Sequence, residues 1–208
     1  MIPASEALAR LREGNRRFVT NRATAASTST HADRAALVAG QEPFAIVLGC
    51  SDSRVPAELV FDQGFGDLFV IRVAGNVVAP SQVGSVEFAA SRYGTRLVVV
   101  VGHSQCGAVA ATLEELLGHA ATESRNLRSI VDRVRPAVEP LLAGRGAGDP
   151  DSLMADAVRA NVRASVRQLG HGSELLERLV REDGLLIVGA EYSLESGVVS
   201  FLTDAEGA

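Results

Sequence analysis

Two cysteines, a histidine, an aspartate and an arginine stand in this chain at spacings that could hold a metal ion and use it. The cysteines are Cys50 and Cys106, the only two in 208 residues. Cys50 opens Cys50-Ser51-Asp52-Ser53-Arg54, and Cys106 closes His103-Ser104-Gln105-Cys106. Thiolate, imidazole and carboxylate are the ligand types zinc takes. Cys50, His103 and Cys106 would leave the fourth tetrahedral position for water, the arrangement of a catalytic zinc. Zinc lowers the pKa of such a water from ~15.7 toward ~7, supplying hydroxide at neutral pH. Two thiolates donate more charge than neutral imidazoles, so a neighbouring device is needed to keep the metal acidic. Asp52 bears on the fourth position in two ways. As a ligand it would close the site. Paired with Arg54, it would leave room for water and could accept a hydrogen bond from the hydroxide.

Plainer readings compete. Free cysteine is often a small buried hydrophobe, and an exposed Asp–Arg pair is worth only ~0–1 kcal/mol. A site closed by four protein ligands would be a non-catalytic zinc module serving assembly. A Cys50–Cys106 disulfide is the redox alternative, although the two do not form a Cys-x-x-Cys motif. His31, His119 and His171 have polar or loop-like surroundings and are expected to be exposed.

The elements that must position these groups are strands and helices in alternation. Ser5 is expected to cap a first helix with Leu8, Leu11 and Phe18 on one face. Phe44 to Leu48 reads as a buried strand delivering Cys50. Pro56 to Val60 suits a short helix with proline in its first turn, and Leu68 to Val73 a second strand. Gln82 to Tyr93 reads as a helix ended by Gly94. Leu97 to Val101, apolar on both faces, has the pattern of a central parallel strand and delivers His103. Helices are expected over Ala108 to Leu117, Asn126 to Leu142, Leu153 to Leu169 and Glu174 to Arg181, and closing strands over Leu185 to Val188 and Val198 to Leu202. This alternation predicts an α/β fold with a mostly parallel sheet. Cys50 and His103 then lie at the carboxyl ends of strands, where such sheets gather their sites.

Composition narrows the classes. The chain suits a single domain over 1–208, with 1–40 as an N-terminal helical arm, and shows no internal repeat. Ala23 to Thr30 reads as a loop or arm, and Gly144 to Pro150 as a linker between helices. Apolar content of 47% and charged content of 22% are those of a globular protein. A net charge of -5 with no basic block argues against a nucleic-acid partner. No run approaches the ~18 apolar residues of a membrane span, and Met1 to Glu6 lacks the basic and then apolar segments of a secretory signal. The expectation is a cytoplasmic protein with reduced thiols and no membrane partner.

Taken together, the motifs resemble a β-class carbonic anhydrase along nearly the whole chain. The matching segments are Glu13 to Phe18, Cys50 to Pro56, Phe61 to Gly64, Gly66 to Arg72 and Gly102 to Gly107. The opening segment is similar to actinobacterial members. The resemblance implies reversible hydration of carbon dioxide, a lyase reaction, through zinc-bound hydroxide. It implies Zn2+ on Cys50, His103 and Cys106, with Asp52 either fourth on the metal in a closed state or paired with Arg54 in an open one. Gln63 matches a glutamine that hydrogen-bonds substrate across a dimer interface, and homodimers or homotetramers are implied. An antiparallel edge strand is implied beside the parallel ones. Val55, Phe61 and Phe88 are candidate walls of the carbon dioxide pocket. Two positions depart from common patterns. Phe88 stands where many members have tyrosine and lacks its hydroxyl. Val47 stands where the bicarbonate-inhibited subgroup has tryptophan, so that subgroup's regulatory pocket is not supported. Carbonyl sulfide or carbon disulfide hydrolysis on the same fold is the nearest alternative activity.

Overall fold

The computed structural model describes residues 2–24, 30–119, 124–143 and 149–202. Most of the Ala23 to Thr30 tract and of the Gly144 to Pro150 segment lies outside them, as does the His31 side chain. His119 and His171 are exposed.

Among the described residues five strands form one sheet: β1 Ala45–Gly49, β2 Leu68–Arg72, β3 Leu97–His103, β4 Leu186–Tyr192 and β5 Val199–Leu202. Their order is β2-β1-β3-β4-β5. The first four are parallel, and β5 runs antiparallel to β4 at the edge. The expected mostly parallel sheet with an antiparallel edge strand is therefore present. The helices are α1 Ala4–Val19, α2 His31–Ala36, α3 Ala57–Val60, α4 Pro80–Arg92, α5 Gly107–Leu116, α6 Arg125–Val138, α7 Pro150–His171 and α8 Glu174–Glu182.

Every residue of β1 and β3 is buried, and strand alternation divides their side chains between two cores. Val47, Leu97, Val99 and Val101 pack with Ala7 and Leu11 of α1 and with Ala57 and Val60 of α3. Ile46, Leu48, Val98 and Val100 pack with Val86 and Ala89 of α4, Val162 of α7 and Leu176 of α8. Each such side chain contributes ~1.5–3 kcal/mol by leaving water. Helix α1 is thus fastened to the sheet. Asn15 adds to the fastening: its amide donates to the carbonyls of Val60 and Gly197, and its oxygen accepts from the Val199 N–H at 2.9 Å.

The chain leaves β1 toward β2 on one side and returns to pair β3 with β1 on the other. This reversal opens a crevice beyond the carboxyl ends of β1 and β3. The register sets Gly49 opposite Val101, so Cys50 emerges beside the end of β3.

Local differences have local causes. Helix α1 starts at Ala4 behind Pro3, so Ser5 is inside it and caps nothing. Strand β4 continues to Tyr192, past Gly189 and Glu191, because those residues pair with β3 and β5 at once. Helix α6 gives way to a 3-10 turn at Glu139–Leu142, where Pro140 enters the first turn. A second 3-10 turn, Ala74–Asn76, was not expected from the sequence.

Candidate metal centre

Cys50 is the first residue beyond β1, His103 the last of β3, and Cys106 the residue that precedes α5. Parallel pairing therefore delivers one thiol and the imidazole, and the tight turn after β3 delivers the second thiol. Ser104 pins that turn to the neighbouring strand, accepting the Leu194 N–H on its hydroxyl and donating its own N–H to the Tyr192 carbonyl. Gln105 completes the turn with a left-handed φ of 55°.

Sγ of Cys50, Sγ of Cys106 and a ring nitrogen of His103 lie within 4.8 Å of one another, and all three residues are buried. The sulfurs are 4.0 Å apart and both cysteines are free. Two sulfurs bound tetrahedrally at ~2.3 Å would stand about 3.8 Å apart. His103 Nδ1 lies 2.9 Å from the Ser104 carbonyl. Nδ1 must therefore carry the proton and donate it, which leaves a lone pair on Nε2. That Nε2 is fully buried and has no hydrogen-bond partner among the described residues. A buried acceptor without a partner costs ~1–3 kcal/mol, and a metal ion between it and the two sulfurs would satisfy it. The donor set and spacing fit zinc.

The thiols are polarised by backbone donors. Cys50 is held below the usual thiol range, first by a hydrogen bond from Cys106 and then by the Gly75 and Asp52 backbone, against the opposing effect of burial. Cys106 is pushed up by the same shared proton and by burial, although the Val109 and Ala108 N–H groups at the start of α5 act to lower it.

Asp52 stands just outside this trio. Its Oδ2 is 3.8 Å from His103 Nε2. Arg54 takes the carboxylate as a fork, Nε to Oδ1 at 2.9 Å and Nη2 to Oδ2 at 2.7 Å, while the Arg54 N–H adds a third bond. This fork holds the Asp52 carboxyl well below the usual carboxylate range. Arg72, at the end of β2, locks the loop from behind by donating to the carbonyls of Cys50 at 3.0 Å and Asp52 at 2.6 Å. Sequence reading gave Arg72 no role, since only the β1–β2 pairing brings it there.

The family is decided by the sequence around these groups. Residues 45–199 match the family model described as carbonic anhydrase. The chain belongs to the β-class carbonic anhydrases. It is an enzyme of that family, a carbonate dehydratase. Among its relatives, carbonic anhydrase 2 of Mycobacterium tuberculosis is 40% identical over 187 residues, covering 90% of this chain and 87% of that protein. The β-carbonic anhydrase CafA of Aspergillus fumigatus superposes with a TM-score of 0.76 at 28% identity, covering 98% of this chain and 92% of that one. A structure of tetrameric β-carbonic anhydrases from Sordaria macrospora superposes at 0.71 with 24% identity, covering 81% and 85%.

Against that family pattern the remaining expected residues divide. Val55 and Phe61 do line a recess with Cys50, together with Val47, Val60 and Val101. Its volume of about 10 Å³ is the space of roughly one water, so these side chains form a packed floor and not an open chamber. Phe88 is not at the centre. It lies on the outer face of α4, 52% exposed, with its ring beside Phe69 at 6.2 Å and Tyr93 at 5.7 Å. Within a single chain Phe88 is thus apart from the Cys50 recess, and its ring packs at the β2 edge of the sheet. Gln63 lines a different groove, with Leu59 and Phe65. Its Oε1 accepts from Arg10 Nε at 3.1 Å, and its Nε2 donates to the Phe61 carbonyl at 2.7 Å.

Among the described residues no helix is long and apolar enough to cross a membrane.

Proposed function

We propose that this chain hydrates carbon dioxide reversibly to bicarbonate and a proton at a zinc ion held by Cys50, His103 and Cys106. The observation that carries the reading is His103 Nε2, buried without a hydrogen-bond partner beside two thiols. Bound there, zinc would act as a Lewis acid on a water molecule and bring its pKa toward ~7. Asp52 accepts a hydrogen bond from the nucleophile and so turns an oxygen lone pair toward carbon. Arg54 fixes the carboxylate for that task and keeps it off the fourth metal position. The Asp52–Arg54 pairing also favours an enzyme over a metal plug closed by four protein ligands.

The same reading includes a second copy of the chain, in a homodimer or in a homotetramer built from two such dimers. Gln63 has one amide N–H committed to Phe61 and its oxygen committed to Arg10, so its amide cannot flip. The other N–H remains for a substrate oxygen in the partner's site. Leu59 and Phe65 flank Gln63 and are 46% and 54% exposed, an apolar rim that a second copy would cover. Reduced thiols are needed throughout, which suits the cytoplasm.

The deciding experiment is metal analysis of purified protein with stopped-flow carbon dioxide hydration. Stoichiometric zinc and rapid hydration are expected, with Asp52→Ala keeping zinc and fold but losing turnover. Negligible hydration by zinc-loaded protein, or faster turnover of carbonyl sulfide or carbon disulfide, would overturn the assignment. A Cys50–Cys106 disulfide in place of zinc would point to thiol redox chemistry.

A further inference from the structure

The donor nearest the buried side of the Cys50 sulfur is the Gly75 N–H, at 3.3 Å. It comes from the 3-10 turn after β2, a segment that contributes no metal ligand. The backbone there is unusual. Gly75 has φ +68° and Asn76 has φ +44°, so two successive residues occupy the left-handed region. Glycine takes that conformation freely, and asparagine only at some cost. Asn76 is also buried, and its Nδ2 has no hydrogen-bond partner among the described residues. Backbone strain and an unpaired buried amide persist only where the surroundings enforce them, and such strain gathers at functional sites.

The enforcement comes from α7. Asn161 Nδ2 donates to the Gly75 carbonyl at 2.8 Å, and Ser165 Oγ donates to the Asn76 carbonyl at 3.0 Å. Both bonds are buried, and the two residues are one helical turn apart on the same face. Helix α7 reaches the turn because β3 carries glycine where they meet. A Cβ on Gly102 would stand 2.5 Å from Val162 Cγ2, a distance real side chains do not tolerate. Gly102 therefore lets α7 press against the strand that ends in His103.

We propose that Asn161, seconded by Ser165, is a positioning residue for the metal centre: it holds the left-handed 74–76 turn so that the Gly75 N–H stays on the Cys50 sulfur. The inference rests on the reading that Cys50, His103 and Cys106 hold the metal. Its chemical consequence follows from charge. A hydrogen bond to thiolate withdraws electron density from sulfur and weakens its donation to the ion. Two thiolates would otherwise leave the ion a poor acid, and the Gly75 N–H offsets part of that donation. Outer contacts of this kind commonly change metal affinity by 10–100-fold when removed.

The test uses the full chain with cobalt(II) in place of zinc, because the thiolate-to-cobalt charge-transfer band reports electron density on sulfur directly. Asn161→Ala should move that band to longer wavelength. Ser165→Ala should move the band the same way by less. Leu169→Ala, buried elsewhere on α7, should lower the melting temperature and leave the band in place. An Asn161→Ala band at the wild-type wavelength overturns the inference. So does a Leu169→Ala band displaced as far as that of Asn161→Ala. Should Asn161→Ala fail to fold, Ser165→Ala against Leu169→Ala decides by the same criterion. Wild-type protein with no thiolate-to-cobalt band would instead sink the metal assignment on which the inference stands.

Discussion

Removing the Arg54 guanidinium should close the metal centre with its own aspartate. In Arg54→Ala the Asp52 carboxylate loses two side-chain bonds, of 2.9 and 2.7 Å. Buried charge-assisted bonds are worth ~1.5–3 kcal/mol each, but the Arg54 side chain is 51% exposed, so solvent reduces the pair toward the surface range. The fork is therefore a surface pair with good bidentate geometry, and its loss tips the carboxylate only modestly toward the metal. The carboxylate has little distance to travel. Oxygen and nitrogen ligands at ~2.0 Å on a tetrahedral ion are about 3.3 Å apart, and Asp52 Oδ2 already lies 3.8 Å from His103 Nε2. A change within the surface-pair range in favour of the closed arrangement corresponds to up to about a 5-fold loss of kcat/KM. Stopped-flow hydration with parallel zinc analysis measures it. Zinc content should be unchanged, Arg54→Lys should fall between wild type and Arg54→Ala, and added guanidinium should restore part of the rate. Wild-type kcat/KM in Arg54→Ala at full zinc content would refute the argument. A loss explained entirely by missing zinc would refute it as well.

Other outcomes follow from the same geometry. Because Arg54 depresses the Asp52 carboxyl below its ordinary value of 3.8, the pair's contribution is present above that pH and is lost only as pH falls through the lower folded value. Any inactivation under mildly acidic conditions should therefore occur with Asp52 still ionised, and carbon NMR showing Asp52 titrating above pH 3.8 would contradict the pairing. Asn15→Ala strands buried partners of three hydrogen bonds and should cost about 3 kcal/mol or more in urea unfolding, with an unchanged denaturant slope. Gln63→Ala should reduce turnover without reducing zinc content; an unaltered rate would remove Gln63 from the substrate site. Exhaustive chelation should abolish hydration, and zinc should restore it with the fold intact by circular dichroism.

The central strands were legible because burial on both faces leaves a continuous apolar run, as in Leu97 to Val101. The Asp52–Arg54 fork was legible because its members are two residues apart in one loop. What escaped depended on packing between distant segments. Asn161 and Gly75 are 86 positions apart, and nothing local marks that asparagine as different from a surface residue of α7. The neighbours of Phe88 escaped for the same reason, since only the fold brings Phe69 of β2 beside it. The full length of β4 was hidden by Gly189 and Glu191, which look like strand breakers until pairing on both sides is known. Helix α2 is short and carries no strong apolar period, so of the first 40 residues only α1 was legible as a distinct helix.

The pairing of β1 with β3 also fixes an order of assembly. Cys50 and His103 reach one another only through that pairing, since their strands are separate in the chain and adjacent in the sheet. His103 and Cys106 alone offer two donors, too few for the tight capture of an ion. A chain emerging during synthesis therefore has no complete cage until its third strand has docked beside its first. Metal uptake in a refolding experiment should accordingly act as a clock for completion of the central sheet, and an immature chain is protected from being stapled by zinc in a wrong topology.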